Sequence, residues 1–190
     1  MPIETPAASP PSQPAIGARF EAVVLPWLDA AWNLARWLAR DDADAQDVVQ
    51  ESMLRALRYF DSFHGGDARV WLLAIVRNTY FTLRSKALPE QLAESLDEDV
   101  HPLIDEQASP EALTLLAVDV GSLRAALERL PPPWREAIVL RELEECSYKE
   151  IAAITGQKIG TVMSRRARAR ERLKLELTHR SGEARRHDLR

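Results

Sequence analysis

The 190-residue sequence has one cysteine, Cys146, so no disulfide can form within the chain. That removes the framework on which small secreted domains rely, and nothing points to an oxidising compartment. The four histidines, His64, His101, His179 and His187, are scattered and show no metal-ligand spacing with Cys146. No apolar run approaches the ~18 residues needed to cross a bilayer. The opening stretch "MPIETPAASPPSQPA" has five prolines and no basic residue, so it lacks the charged start and apolar core of a secretion signal. It reads as a disordered tail over residues 1–16. A glycine-rich phosphate loop, a metal cluster and a Ser/His/Asp or Cys/His pairing are all missing. The expectation is a soluble, cytoplasmic protein that is not an enzyme, with no cofactor, no metal and no catalytic residue.

What is present is helical. Hydrophobic residues make up 46% of the chain, enough for packed cores. They recur at helical spacing, and no strand pattern stands out. One stripe is Leu34, Trp37 and Leu38. A second is Val48, Met53 (or Ser52), Leu54 and Leu57, and a third is Trp71, Leu72, Ile75, Val76 and Tyr80. Pro26 should start or kink the first of these helices. The pattern predicts an all-α protein of two small helical domains, over residues 17–86 and 120–179. A linker at 87–119 joins them, and a polar tail follows at 180–190.

Charge marks the same partition. The formal total is only −4, but residues 87–119 hold nine acids and no Lys or Arg, with Pro89, Pro102 and Pro110 among them. Residues 158–190 hold eleven bases and four acids, a net +7. The modest total therefore hides two opposed regions. The linker reads either as a mobile connector or as a partly helical strap.

The positive charge gathers in "SYKEIAAITGQKIGTVMSRRARARERL", residues 147–173. Ser147 and Glu150 have capping-box spacing, and Gly156 is suited to stop the short helix that follows. A second helix then runs to about Leu177, with Val162, Ala169, Leu173 and Leu177 inside and arginines on its other faces. Helix, glycine turn and basic helix form a helix-turn-helix, whose second helix fits the major groove of B-DNA. Arginines along it can neutralise phosphates. A solvated arginine face in a helical bundle is the plainer alternative for the same residues.

The wider stretch "RLPPPWREAIVLRELEECSYKEIAAITGQKIGTVMSRRARARERLK" resembles region 4 of bacterial sigma factors, and most closely the extracytoplasmic-function (ECF) group. The resemblance implies that Thr161, Ser164, Arg165 and Arg168 contact the −35 promoter element. Arg166 departs from the pattern by putting a cation on the inner stripe, and it must snorkel outward or reach a phosphate. Cys146 stands where the family often has a hydrophobe and reads as a small buried side chain.

The N-terminal block carries "DDADAQDVVQESMLRALRYFDSF", with five acids and no base between Asp41 and Glu51. Acids at a helix start suit its dipole, which accounts for Asp41 to Asp44 but not for Asp47, Gln50 and Glu51. The stretch resembles sigma region 2.2. By that resemblance Asp47, Gln50, Glu51 and Arg55 dock on the clamp helices of the β′ subunit of core RNA polymerase, with the β subunit as a further contact. A polar face complementary to a basic partner fixes orientation and speeds encounter.

The next stretch, "FHGGDARVWLLAIVRNTYFTLRSK", has four bases and one acid with aromatic residues among them. Gly65-Gly66 should break the chain and Asp67 should cap a helix. Basic plus aromatic character suits single-stranded DNA, although Trp71, Tyr80 and Phe81 could instead lie in the helical core, the favoured reading for Trp71. The stretch resembles sigma regions 2.3 and 2.4. That implies roles for Phe63, Arg77, Asn78, Arg84 and Lys86 at the melted −10 element, with Asn78 beside the pocket for a flipped base. Thr82 departs from the family's usual Asp and touches only fine −10 specificity.

The resemblance as a whole implies an alternative sigma factor that binds core RNA polymerase and promoter DNA, often held by an anti-sigma factor. The alternative is a helix-turn-helix regulator that binds duplex DNA without polymerase. Such a regulator would not need the "DVVQES" and "VRNT" helices.

Overall fold

The computed structural model describes residues 13–39, 41–87 and 120–187. Residues 1–12 of the expected tail, 88–119 of the expected linker, residue 40 and residues 188–190 lie outside the described residues. Among the described residues there is no strand. The helices are α1 (Gln13–Val24), α2 (Leu28–Leu38), α3 (Asp42–Tyr59), α4 (Ala68–Ala87), α5 (Val120–Glu128), α6 (Pro132–Glu142), α7 (Tyr148–Thr155) and α8 (Ile159–His187). Helix α1 begins four residues before the expected block, within the stretch read as a tail.

Local chemistry sets the boundaries. Pro26 sits in a single 3-10 turn, Leu25–Trp27, between α1 and α2, because its ring removes a backbone donor and resists a helix interior. Asp41 caps α3: its side chain accepts a hydrogen bond from the Asp44 N–H at 2.8 Å. Gly65 and Gly66 have φ of 103° and 101°, a region that side chains rarely enter. Asp67 then accepts from the Val70 N–H at 3.1 Å and opens α4.

Helix α3 turns Ala45, Val48, Ser52 and Ala56 inward. This corrects the expected stripe, since Leu54 and Leu57 are 55% and 48% exposed. Small side chains let α3 lie close against α2 and α4, and they leave the larger leucines on the surface. Beneath lies an aromatic cluster on Phe60, which is only 1% exposed. The Phe20 ring meets it edge-on at 5.3 Å, and the Phe63 and Trp71 rings lie at 6.2 and 6.4 Å. Leu34, Leu38, Leu72 and Leu73 complete this core. Each fully buried leucine contributes about 1.5–3 kcal/mol of transfer free energy.

The C-terminal helices have a second core of Ala126, Leu127, Leu130, Ile138, Ala169 and Leu173, with Trp134 packed against it. The two halves of the chain also pack on each other. Val139, Leu140, Cys146, Ile151, Ile154 and Val162 belong to the same buried cluster as the N-terminal core. Polar contacts cross the seam as well. Arg77 Nε meets Glu136 Oε1 at 2.6 Å, and Arg69 Nη2 meets Glu144 Oε2 at 3.1 Å and also donates to the Glu144 carbonyl. Arg135, on α6, donates to the Leu38 carbonyl at the end of α2 at 3.2 Å.

Candidate nucleic-acid interface

The C-terminal site is built on α7 and α8. Ser147 and Glu150 form the expected capping box: the Glu150 N–H donates to Ser147 Oγ at 3.2 Å, and the Ser147 N–H donates to Glu150 Oε2 at 2.6 Å. Hydrogen bonding from the Ser147 side chain, and then from its backbone N–H, holds the Glu150 carboxyl below its ordinary value. Gly156 ends α7 in the left-handed region at φ 67°, where a Cβ would be strained. The chain then turns directly into α8.

Val162, Ala169 and Leu173 of α8 are buried, and Leu177 is half-buried. Thr161, Ser164, Arg165 and Arg168 lie together near the start of the helix, all half-buried. Ser164 Oγ donates to the Thr161 carbonyl at 3.0 Å, and the Arg168 guanidinium lies 6.0 Å from the centre of the Trp134 ring. Arg166, on the inner stripe, reaches the Glu142 carboxylate of α6 at 2.6 and 2.9 Å. It leaves the stripe through a carboxylate partner. The sequence reading missed two exposed residues of the same turns, Met163 and Ala167. Their apolar character hid them.

The N-terminal site lies on α4. Arg77 is held from three sides: Glu136 at 2.6 Å, Asn78 Oδ1 at 3.1 Å, and the Phe81 ring at 4.7 Å from its centre. Asn78 is exposed, as is Lys86. Arg84 donates to the Tyr80 hydroxyl at 3.1 Å. Phe63 differs from the rest. It is 8% exposed and its ring lies 5.0 Å from that of Trp71, within the core. Trp71 is half-buried in the same cluster.

On α3, Asp47 and Gln50 are exposed, Glu51 and Arg55 are half-buried, and Arg55 Nε pairs with Glu51 Oε1 at 2.8 Å. Leu54 and Leu57 continue the same outward face. The result is an exposed strip of mixed acidic and apolar character.

Two buried groups complete the electrostatics. Glu136 is 1% exposed. Burial raises its carboxyl above the ordinary value, against the opposing charges of Arg77 and Arg165. Its Oε2 has no hydrogen-bond partner among the described residues. Cys146 is fully buried, and burial pushes its thiol up to about 11. At neutral pH it is a protonated core side chain. Among the described residues no group of three or more His, Cys, Asp or Glu could hold a metal, and no helix is long and apolar enough to cross a membrane.

The fold and site define a helical protein with one helix-turn-helix and one basic-aromatic helix. The "Sigma-70 region 2" family model matches residues 23–87 and the "Sigma-70, region 4" model matches residues 121–173. The ECF RNA polymerase sigma-E factor of Escherichia coli (strain K12) is 38% identical over 135 residues, which cover 67% of this chain and 71% of that protein. The ECF RNA polymerase sigma factor SigE of Mycolicibacterium smegmatis is 33% identical over 164 residues, 86% of this chain; the match spans 63% of that relative's length. Among solved structures, the sigma factor RpoE in complex with the anti-sigma factor NepR from Bartonella quintana superposes with a TM-score of 0.67. Its sequence identity is 30%, covering 84% of this chain and 97% of that one. The chain belongs to the ECF group of the sigma-70 family of RNA polymerase sigma factors.

Proposed function

We propose that this chain is an alternative sigma factor: it binds core RNA polymerase and directs initiation at promoters read through −35 and −10 elements. The observation that carries the reading is the order of the two matched regions along one chain. The first spans the outward strip of α3 and the basic α4, and the second spans the helix-turn-helix. A duplex-binding regulator needs only the second.

Region 2 docks on the polymerase clamp helices through Asp47, Gln50, Glu51 and Arg55, with Leu54 and Leu57 adding exposed apolar area. Region 4 enters the major groove with the start of α8. There Thr161, Ser164, Arg165 and Arg168 meet phosphates and base edges, and Met163 offers an apolar contact to a thymine methyl. Arg77, Asn78, Arg84 and Lys86 of α4 hold the melted −10 strand. Capturing a flipped base at Asn78 offsets an unpairing cost of a few kcal/mol. Phe63 is assigned a positioning role in place of strand contact, because its ring is packed on Trp71. The polymerase supplies catalysis and this chain supplies recognition, in the cytoplasm where the polymerase works. An anti-sigma factor is a fitting partner, since the similar RpoE is held by one.

The test is transcription with purified chain, core polymerase and a library of promoter fragments, followed by sequencing of the transcripts. Enrichment of two sequence blocks upstream of common start sites supports the reading. Starts that are unchanged by adding the chain contradict it.

A further inference from the structure

Arg166 stands on the inner stripe of α8, four residues after the buried Val162 and three before the buried Ala169. A cation at such a position needs a partner of its own. Its Nε and Nη2 both donate to Glu142 Oε1 of α6, at 2.9 and 2.6 Å. Burial works against the guanidinium charge, but Glu142 and then Tyr148 of α7 raise its pKa above the ordinary value. Tyr148 is tied back to α6 as well. The Arg141 guanidinium lies 5.1 Å from the centre of the Tyr148 ring and donates to the Cys146 carbonyl at 2.9 Å. Next to Cys146 is Glu145, the one non-glycine among the described residues with a positive φ, 53°. Arg141 and Glu142 of α6, Tyr148 of α7 and Arg166 of α8 therefore join three helices at one corner.

The apolar hold on α8 is of a different kind. Val162 and Ala169 are buried but small, and apolar burial is non-directional. It decides which face of a helix points inward, and it does little to stop the helix rolling or sliding by an ångström. Two charge-assisted donors on one carboxylate oxygen do set a direction. Arg166 lies between Arg165 and Arg168 in the sequence, in the turns that carry Thr161 and Ser164. Groups that read base edges must be held to within about 0.5 Å of their working geometry.

We propose that Arg166 and Glu142 are positioning residues for −35 reading. Their pair sets the pose of α8 on α6 so that Thr161, Ser164, Arg165 and Arg168 meet the bases, and Arg166 itself makes no contact with DNA. The inference rests on the reading of α8 as the −35 helix made above. Of the two exits open to a cation on the inner stripe, it takes the carboxylate and excludes the phosphate.

The test uses the full chain assembled with core RNA polymerase. The probes are duplex promoter fragments taken from the transcription library, with the −35 block intact or scrambled. Two quantities are read: the ratio of affinities for the two fragments, and the slope of log affinity against log salt. Arg166→Ala and Glu142→Ala should each lower the ratio about tenfold, the worth of one base contact, and leave the slope unchanged. Glu142→Arg combined with Arg166→Glu restores the pair with its charges reversed and should bring the ratio back. A loss of stability alone reduces the amount of active chain and does not move the ratio, so the ratio separates positioning from folding.

A phosphate contact by Arg166 gives the opposite pattern. Arg166→Ala then lowers the slope by about 1, Glu142→Ala strengthens binding, and the swap weakens it further. Any of these results overturns the inference, as does a ratio that the swap fails to restore. If the wild-type complex does not distinguish the two fragments, the reading of α8 falls and the inference with it. If the wild-type complex distinguishes them and both single variants match it, the inference alone is overturned.

Discussion

Ser147 shows how much one hydroxyl sets. It accepts the Glu150 N–H, and its own N–H is held by the Glu150 carboxylate, so Ser147→Ala should destabilise the chain by about 1 kcal/mol in denaturant titration. The Glu150 carboxyl is lowered by these bonds. Its stabilisation is present above the ordinary carboxylate range and is lost as pH falls through the lowered value. Glu136 runs the other way. Burial raises its carboxyl, so the packed chain holds that proton more tightly than the unfolded chain does. The stability it brings is fully present below the ordinary carboxylate value and fades as pH rises through the raised one. Melting temperature measured against pH should show that decline, and Glu136→Gln should flatten it. A steeper decline in Glu136→Gln would remove Glu136 as its source. At the centre of the N-terminal core, Phe60→Ala should cost about 3–5 kcal/mol, since the ring is buried among Phe20, Phe63 and Trp71.

Single elements carry the division of labour. On α3 the inner face is made of small residues and the outer strip of Asp47, Gln50, Leu54 and Leu57. Asp47→Arg therefore leaves the packing alone and should abolish polymerase binding in a pull-down, with helical circular dichroism unchanged. On α8, Arg165→Ala should weaken −35 binding by about 1–3 kcal/mol, or roughly tenfold to a hundredfold in affinity, with little effect on polymerase binding. Retained −35 discrimination in a footprinting titration would move that role to another residue of the helix. Local signals were legible in the sequence at this scale: the Asp67 cap, the Ser147 box and the left-handed Gly156 all lie where residue chemistry puts them. The phase of α3 was not. Ala45, Ser52 and Ala56 mark its buried side by being small, and hydrophobicity favours the larger leucines that stand outside. Arg166 was half-legible. Its place on the inner stripe required an exit, but Glu142 lies on another helix, 24 residues away.

At the scale of the whole molecule, the all-α architecture and the sigma family were readable from periodicity and motif. The contact between the halves was not. Arg77 and Glu136 are 59 residues apart and Arg69 and Glu144 are 75 apart. Neither pair leaves a local pattern, because each residue alone reads as an ordinary solvated charge. The burial of Phe63 was hidden for a related reason: a phenylalanine among basic residues suits a surface, and only tertiary packing shows its ring against Trp71. One physical theme joins these findings. The two halves pack on each other through ion pairs, Arg77 with Glu136 and Arg69 with Glu144, while Asp47, Gln50, Leu54 and Leu57 stay exposed on α3. The most direct measurement of the central claim is run-off transcription by core RNA polymerase on one double-stranded promoter fragment, with and without the chain. The expected result is a transcript from a single start site only when the chain is added, and none with Asp47→Arg. Equal transcription with and without the chain, or no defined start on any promoter fragment, would contradict it.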